Sequence, residues 1–484
     1  MTIPADLRVP FMYVEFDSSR AFQGPSVLRY QALLVGQRLS SGKRAELILD
    51  KISSYDQARS LYGEGSQLAR MFKKWFQNNK TTDVFAVSLD DAIGGVDATG
   101  TITVTGTPTA DGSIVIYIGE DRYAVPITSG DTPTQIGDAI VAGITSEMLV
   151  TASNITGAVT FTAKNAGEAG NDIPLAVNFN EGEELPAGIS VAVVPMASGA
   201  NNPSLQSVID ILGDEWYNII CSPYNDATNM TDIEAELDDR FGPLRMIDGM
   251  YVTSKRDSLS NLATFGNGRN SKHVTCIHSY KIQSTSVDVA VAYAGQLASE
   301  GSIDPARPFQ TLELVGIIPP PVVDRFTNTE NNSLLYDGIA TYYVDNGGKV
   351  RIQRAITMYQ TNAVGATDIA YLDVNTLLTL MFLRYDFRTQ ILTRFPRSKL
   401  ADDGVQAGPG QQIMTPKLGK SEAVNIFRGW QLLGLVENVE QFKNDLICQR
   451  SISDPNRLEW ILPPDLINQF RVGSATMQFL LQSL

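Results

Sequence analysis

Residues 334–403 read LLYDGIATYYVDNGGKVRIQRAITMYQTNAVGATDIAYLDVNTLLTLMFLRYDFRTQILTRFPRSKLADD. Two runs rich in β-branched and aromatic residues, IATYYV (339–344) and KVRIQRAITMY (349–359), flank Asp345-Asn346-Gly347-Gly348. Such runs fit a pleated surface, and Asn-Gly and Gly-Gly pairs supply the positive φ values that hairpin turns require. After a loop, Asp373 is placed to cap a long apolar helix beginning at Val374, and Pro396 stops it. The stretch therefore predicts a hairpin followed by a helix with a basic exit.

Towards the N-terminus strands and helices alternate. YQALLVGQ (30–37), DVFAVSL (83–89), YNIICS (217–222), GMYVTS (249–254) and HVTCIH (273–278) read as buried strands. Helical patterns at 55–62, 66–77, 203–212, 232–241, 257–265 and 287–299 separate them. This spacing predicts a layered α/β domain with a mostly parallel sheet, in two pieces, 27–92 and 199–318. Between the pieces, 93–198 has another texture: short Thr/Val/Ile-rich runs separated by Gly, Pro, Asp and Asn, with one helical stretch at 133–142. It predicts an inserted β-rich surface domain, a sandwich or open barrel-like sheet.

Of the net charge of −15, −12 falls between Asp90 and Ala200, where 14 acidic residues face only Arg122 and Lys164. The expectation is an acidic, self-repelling module on a balanced body. At 484 residues the chain exceeds one ordinary core. No apolar run reaches the roughly 18–20 residues of a membrane span, and no signal peptide is visible. Three scattered cysteines, Cys221, Cys276 and Cys448, fit buried thiols in a reducing compartment.

After Ile317-Ile318-Pro319-Pro320-Pro321, residues 319–469 read as a C-terminal α+β domain, with helices at 421–433 and 437–446 and strands at 446–452 and 456–464. Two strand-like runs sit at the extremes. Phe11, Tyr13, Val14 and Phe16 belong to an arm over 1–26, and Val472, Met477, Phe479 and Leu480 to an arm over 470–484. A strand at a chain end must find an edge, either in its own domain or on another copy.

Chemistry-bearing constellations are weak. His273 and His278 flank Cys276, but on a strand an odd separation sends the two imidazoles to opposite faces, so buried strand residues are expected rather than a metal site. The acidic pairs Asp90-Asp91, Glu183-Glu184, Asp238-Asp239 and Asp402-Asp403 read as solvated surface. No phosphate-binding glycine loop and no nucleophile elbow occur. Arg384, Arg388, Arg394, Arg397 and Lys399 form a basic cluster whose expected partners are acidic neighbours rather than phosphate. No catalytic, cofactor-binding or metal site is expected, and no direct contact with nucleic acid.

The opening stretch and its sequel resemble contractile phage tail sheath proteins, in particular the Mu-type sheath family. The resemblance rests on Gly338–Thr341, Val350–Thr357 (VRIQRAIT), Tyr371–Val374, Phe395–Asp403 (FPRSKLADD), Thr415-Pro416, Gly434–Asn438 (GLVEN), Phe442-Lys443, Asp454–Leu458 (DPNRL) and Pro463–Gln469 (PPDLINQ). It also covers Val9-Pro10 through Ala21. The resemblance implies a structural subunit of a helical homo-oligomer of stacked six-membered rings around a tail tube. Contraction of that sheath drives the tube through the host cell envelope. Terminal strands exchanged between neighbours would link the lattice, with the 339–359 hairpin as the receiving platform. Segment 421–443 would face the tube through Lys420, Arg428 and Lys443. Baseplate and tail terminator proteins are the further implied partners, and a virion tail assembled in the host cytoplasm the implied location. A sheath from a phage-tail-like bacteriocin or secretion system shares these implications, and a soluble α/β enzyme is the rival from another class.

Overall fold

The computed structural model describes residues 28–406 and 408–481, which form two compact units. The larger comprises 29–381 with 467–481, and the smaller Leu28 with 382–466. The expected strand Phe11–Phe16 lies outside the described residues. The architecture is mixed α/β and multidomain.

The larger unit opens with β1 (Gln31–Gln37), β2 (Leu49–Ile52), α1 (Tyr55–Tyr62), α2 (Gln67–Asn78) and β3 (Asp83–Leu89). An insertion follows: β4 (Thr99–Gly106), β5 (Gly112–Ile118), β6 (Asp121–Ile127), α3 (Pro133–Ala142), β7 (Val150–Ile155), β8 (Ala158–Ala163), β9 (Leu175–Val177) and β10 (Ile189–Ala197). Alternation then resumes with α4 (Gln206–Leu212), β11 (Ile219–Cys221), α5 (Ala227–Phe241), β12 (Met250–Lys255), α6 (Leu259–Asn267), β13 (Val274–His278) and α7 (Ser286–Ile303). The main sheet runs β13-β12-β11-β1-β3-β2, parallel except for β2.

Both faces of this sheet are covered, which is why its strands read as continuous apolar runs. Successive residues of β1 point to opposite sides. Ala32 and Leu34 join Met71, Phe72, Trp75 and Ala290, whereas Leu33 and Val35 join Leu205, Tyr217 and Leu237. The two histidines part in the same way. His273 stacks near Phe241 with Asp238 3.3 Å away, and His278 sits between Phe326 and Tyr342.

The insertion folds as two sheets, β10-β4-β8-β7 and β6-β5-β9, around one core that includes Ile102, Phe161, Ile116, Val125 and, from α3, Ile136 and Ile140. Its two crossings into the main domain lie side by side, because Val96 and Ala200 pair as an antiparallel bridge. A buried ionic network seats it. Arg70 of α2 meets Glu120 and Asp121 at the β5–β6 turn and Asp288 in the first turn of α7, and Lys74 reaches Glu120.

After α8 (Asn328–Tyr336), closed by a Thr327–Glu330 capping box, come β14 (Thr341–Val344) and β15 (Val350–Arg354). Their turn is organised by Asp345, whose carboxylate accepts from the amides of Gly347 and Lys349. Only Gly348 takes a positive φ, +75°. Helix α9 (Val374–Arg394) follows, with Leu377, Leu378 and Met381 buried.

The smaller unit holds the remainder of α9, then β16 (Lys399–Leu400), β17 (Ile413–Met414), α10 (Pro416–Leu432), β18 (Val436–Glu437), α11 (Val439–Asp445), β19 (Ile447–Arg450), β20 (Leu458–Ile461) and β21 (Asp465–Leu466). Helix α10 starts five residues before its expected position, capped by Thr415 with Pro416 in the first turn. It packs on α9 through Trp430, whose indole N–H donates to Asp386 at 2.7 Å. Among the described residues no helix is long and apolar enough to cross a membrane.

Candidate assembly surfaces

Residues 470–481 are not a strand within this chain. A strand exists only with a partner, and among the described residues of this one chain the segment pairs with none. Phe470, Val472, Met477, Phe479, Leu480 and Leu481 all project into solvent, from 78 to 100% exposed. Six large apolar side chains bare on one terminal segment form the kind of patch that marks an interaction site. The segment is anchored at its root. Arg471 lies 3.0 Å from Asp373 Oδ1, and Gln310 Nε2 donates to the Phe470 carbonyl at 3.1 Å.

The β14–β15 hairpin does not offer the open edge expected of a receiving platform. The outer edge of β15 is taken by 311–314, with Thr311 N–H donating to Ile352, Ile352 N–H to Leu312 and Leu314 N–H to Val350. On the other side Ala340, at the start of β14, exchanges bonds with Cys276 and His278 of β13, and Asn331 donates to the Tyr342 carbonyl. The hairpin remains a separate two-stranded sheet, bridged to β13 at Ile277 and Ala340.

A free hairpin lies in the smaller unit. Strands β19 and β20 pair only with each other among the described residues, in the register Ile447–Ile461, Cys448–Trp460, Gln449–Glu459 and Arg450–Leu458. One face rests on α10. Gly419 permits the approach, since a Cβ there would stand 2.8 Å from Cys448 Sγ, and Trp460 Nε1 donates to its carbonyl at 3.3 Å. Ile447 and Ile461, directly opposite each other, are exposed at the end of the ladder. Among the described residues neither outer edge pairs with a further strand, the condition for adding one.

Lys420, Arg428 and Lys443 converge, although 23 residues of chain separate the first from the last. Together with Lys417, Ser421, Glu422, Val424 and Asn425 they line a groove of about 450 Å³. The convergence follows from Phe427 of α10 stacking on Phe442 of α11, ring centres 4.1 Å apart. Glu422 is neutralised by Arg394 at 2.7 Å and Lys443 by Glu440, while Lys420 and Arg428 have no ion-pair partner among the described residues. The groove is a positive surface on an acidic chain. Of the basic cluster at 384–399, Arg394 thus finds the acidic neighbour expected of it.

Sequence comparison places the chain among known proteins. Residues 198–358 match the family model of the phage tail sheath protein central domain, and 366–479 that of the phage tail sheath C-terminal domain. The Mu-like prophage FluMu tail sheath protein of Haemophilus influenzae is 38% identical over 481 residues, covering 99% of each chain. Among solved structures, the contracted sheath complex of the extracellular contractile injection system PVC superposes with a TM-score of 0.50 at 9% identity, over 98% of each chain, and shows a shared fold. The sheath tail protein of Desulfitobacterium hafniense is 14% identical with a TM-score of 0.49, over 94% of this chain and 100% of that one.

Proposed function

The chain belongs to the phage tail sheath family, and from that membership we propose how its surfaces build and work a contractile sheath. Its role is that of a structural subunit of a contractile tail sheath. We infer that copies stack as six-membered rings around a tail tube, between a baseplate and a tail terminator, in a virion tail assembled in the host cytoplasm. Contraction then drives the tube through the host envelope without catalysis by this chain.

The observation that supports linkage by arms is the bare segment 470–481, with six exposed apolar side chains and no strand partner among the described residues. On this reading the segment adds a strand to the β19–β20 hairpin of a neighbouring copy, and the arm containing Phe11, Tyr13, Val14 and Phe16 occupies a further edge. Burying one such apolar side chain contributes about 1.5–3 kcal/mol, while fixing each backbone residue costs about 1–2 kcal/mol. The balance is therefore close, and cooperation over many copies decides assembly. The basic groove of Lys420, Arg428 and Lys443 faces the tube and takes an acidic surface of it. Residues 93–198 project outward, where their acidity keeps neighbouring copies apart.

The test is negative-stain microscopy of the purified full-length chain and of a variant lacking 470–484. Tubes are expected from the former and folded monomers from the latter. Long tubes formed by the truncation would overturn linkage by this arm.

A further inference from the structure

We propose that Arg471 is the positioning residue of the C-terminal arm, fixing the point and direction at which the arm passes from its own subunit to its neighbour. The inference rests on the arm reading above and adds a named anchor to it.

Exposure changes abruptly at this residue. The Arg471 side chain is 13% exposed, between Phe470 at 79% and Val472 at 86%. Its guanidinium meets Asp373 Oδ1 at 3.0 Å, Asn375 Oδ1 at 3.2 Å and Gln469 Oε1 at 2.6 Å. The receiving groups are themselves held. Asp373 is also engaged by Arg354 of β15 at 3.1 and 3.2 Å, and buried Asn375 donates to the carbonyls of Pro305 and Arg307 at 2.9 and 2.7 Å. Among the described residues, nothing from 472 to 481 hydrogen-bonds to the rest of the chain. The arm is therefore fixed at its root and free beyond it.

All three acceptors converge on one guanidinium nitrogen, Nη2, in a charge-assisted site that fixes where the root of the arm sits. A root held in advance lowers the ordering cost when the arm is captured. It also sends any pull on the arm into β15, through Asp373 and Arg354, and into the first turn of α9.

The experiment compares full-length wild type, Arg471→Met, Arg471→Lys and the chain lacking 470–484, reading thermal midpoint and tube mass by sedimentation and microscopy. Arg471→Met is expected to keep the midpoint within about 2 °C. Its tube yield at equal protein concentration is expected to fall about tenfold, through loss of preorganisation. Arg471→Lys, which keeps the charge and loses the planar guanidinium, should recover part of that yield. Wild-type yield from Arg471→Met, with none from the truncation, overturns the anchor and leaves the arm reading standing. Tubes from the truncation overturn the arm reading itself. Should Arg471→Met lower the midpoint, Arg471→Lys decides: wild-type yield from it overturns the anchor, and reduced yield at an unchanged midpoint supports it.

Discussion

Arg70 Nε lies 3.2 Å from Asp288 Oδ1, with the arginine side chain 3% exposed and the carboxylate fully buried. The same guanidinium holds Glu120 and Asp121, so one cation on α2 joins α7 to the inserted sheets. Replacing it leaves Asp288 buried without its ion-pair partner, while Glu120 keeps Lys74. Arg70→Met should destabilise the larger unit by about 3–5 kcal/mol, the usual cost of breaking a buried pair from one side. Chemical denaturation measures this, and limited proteolysis should show earlier cleavage near 93 and 198. An unchanged midpoint would mean that the network contributes no net stability.

The smaller unit has a steric counterpart. Gly419→Leu would force side-chain atoms into the space held by Cys448, Leu458 and Trp460. Overpacking of this kind costs about 1–3 kcal/mol. The expected outcome is reduced stability, together with poor tube assembly, because the displaced hairpin is the proposed receiver. Normal tubes from this variant would show that the β19–β20 edge is not used.

His278 gives a pH dependence. Burial between Phe326 and Tyr342 lowers its pKa to about 3, with a partial offset from Asn331. The unfolded chain, near the ordinary value of about 6.5, binds the proton first. Stability contributed by neutral His278 is therefore intact above about pH 6.5 and falls towards pH 3, by about 1.4 kcal/mol per pH unit. Denaturation of wild type and His278→Gln between pH 7 and 4 checks this, since the variant should lose that part of the slope while shared carboxylate effects cancel. Parallel curves would contradict it.

The groove is tested by charge. Reversing Lys420 and Arg428 to Glu should abolish capture of the tail tube protein while leaving sheath-only tubes intact, because both side chains line the groove and have no ion-pair partner among the described residues. The wild-type interaction should weaken with salt, as screened surface electrostatics do. Retained co-sedimentation with the tube protein would place its contact elsewhere.

How far these features could be read in advance depended on whether their cause was local. Helix α3 begins and ends where expected because Thr132, Pro133 and Gly143 mark it by nearest-neighbour chemistry. The β14–β15 turn was legible for the same reason. Strands β2 and β9, four and three residues long, carry too little periodicity to register, and both depend on neighbours distant in sequence. Helix α8 did have a readable signal, the Thr327–Glu330 capping box. The 470–481 segment reads as a strand because its composition suits a sheet, but among the described residues no edge takes it. Lys420, Arg428 and Lys443 were named through resemblance alone. Their meeting depends on the Phe427–Phe442 stack, a tertiary contact that periodicity does not reveal.

The Val96–Ala200 bridge has an engineering consequence. Because the chain leaves the main domain and returns to it through paired residues, whatever lies between is joined covalently at two adjacent points, beside the ionic seat formed by Arg70 and Lys74. A passenger domain with neighbouring termini can be spliced there without stretching either flank, since closing an entry already held shut adds little entropy cost. The crossing is thus a socket. A particle built from many copies would carry its payload on a repeating grid whose spacing the sheath itself supplies.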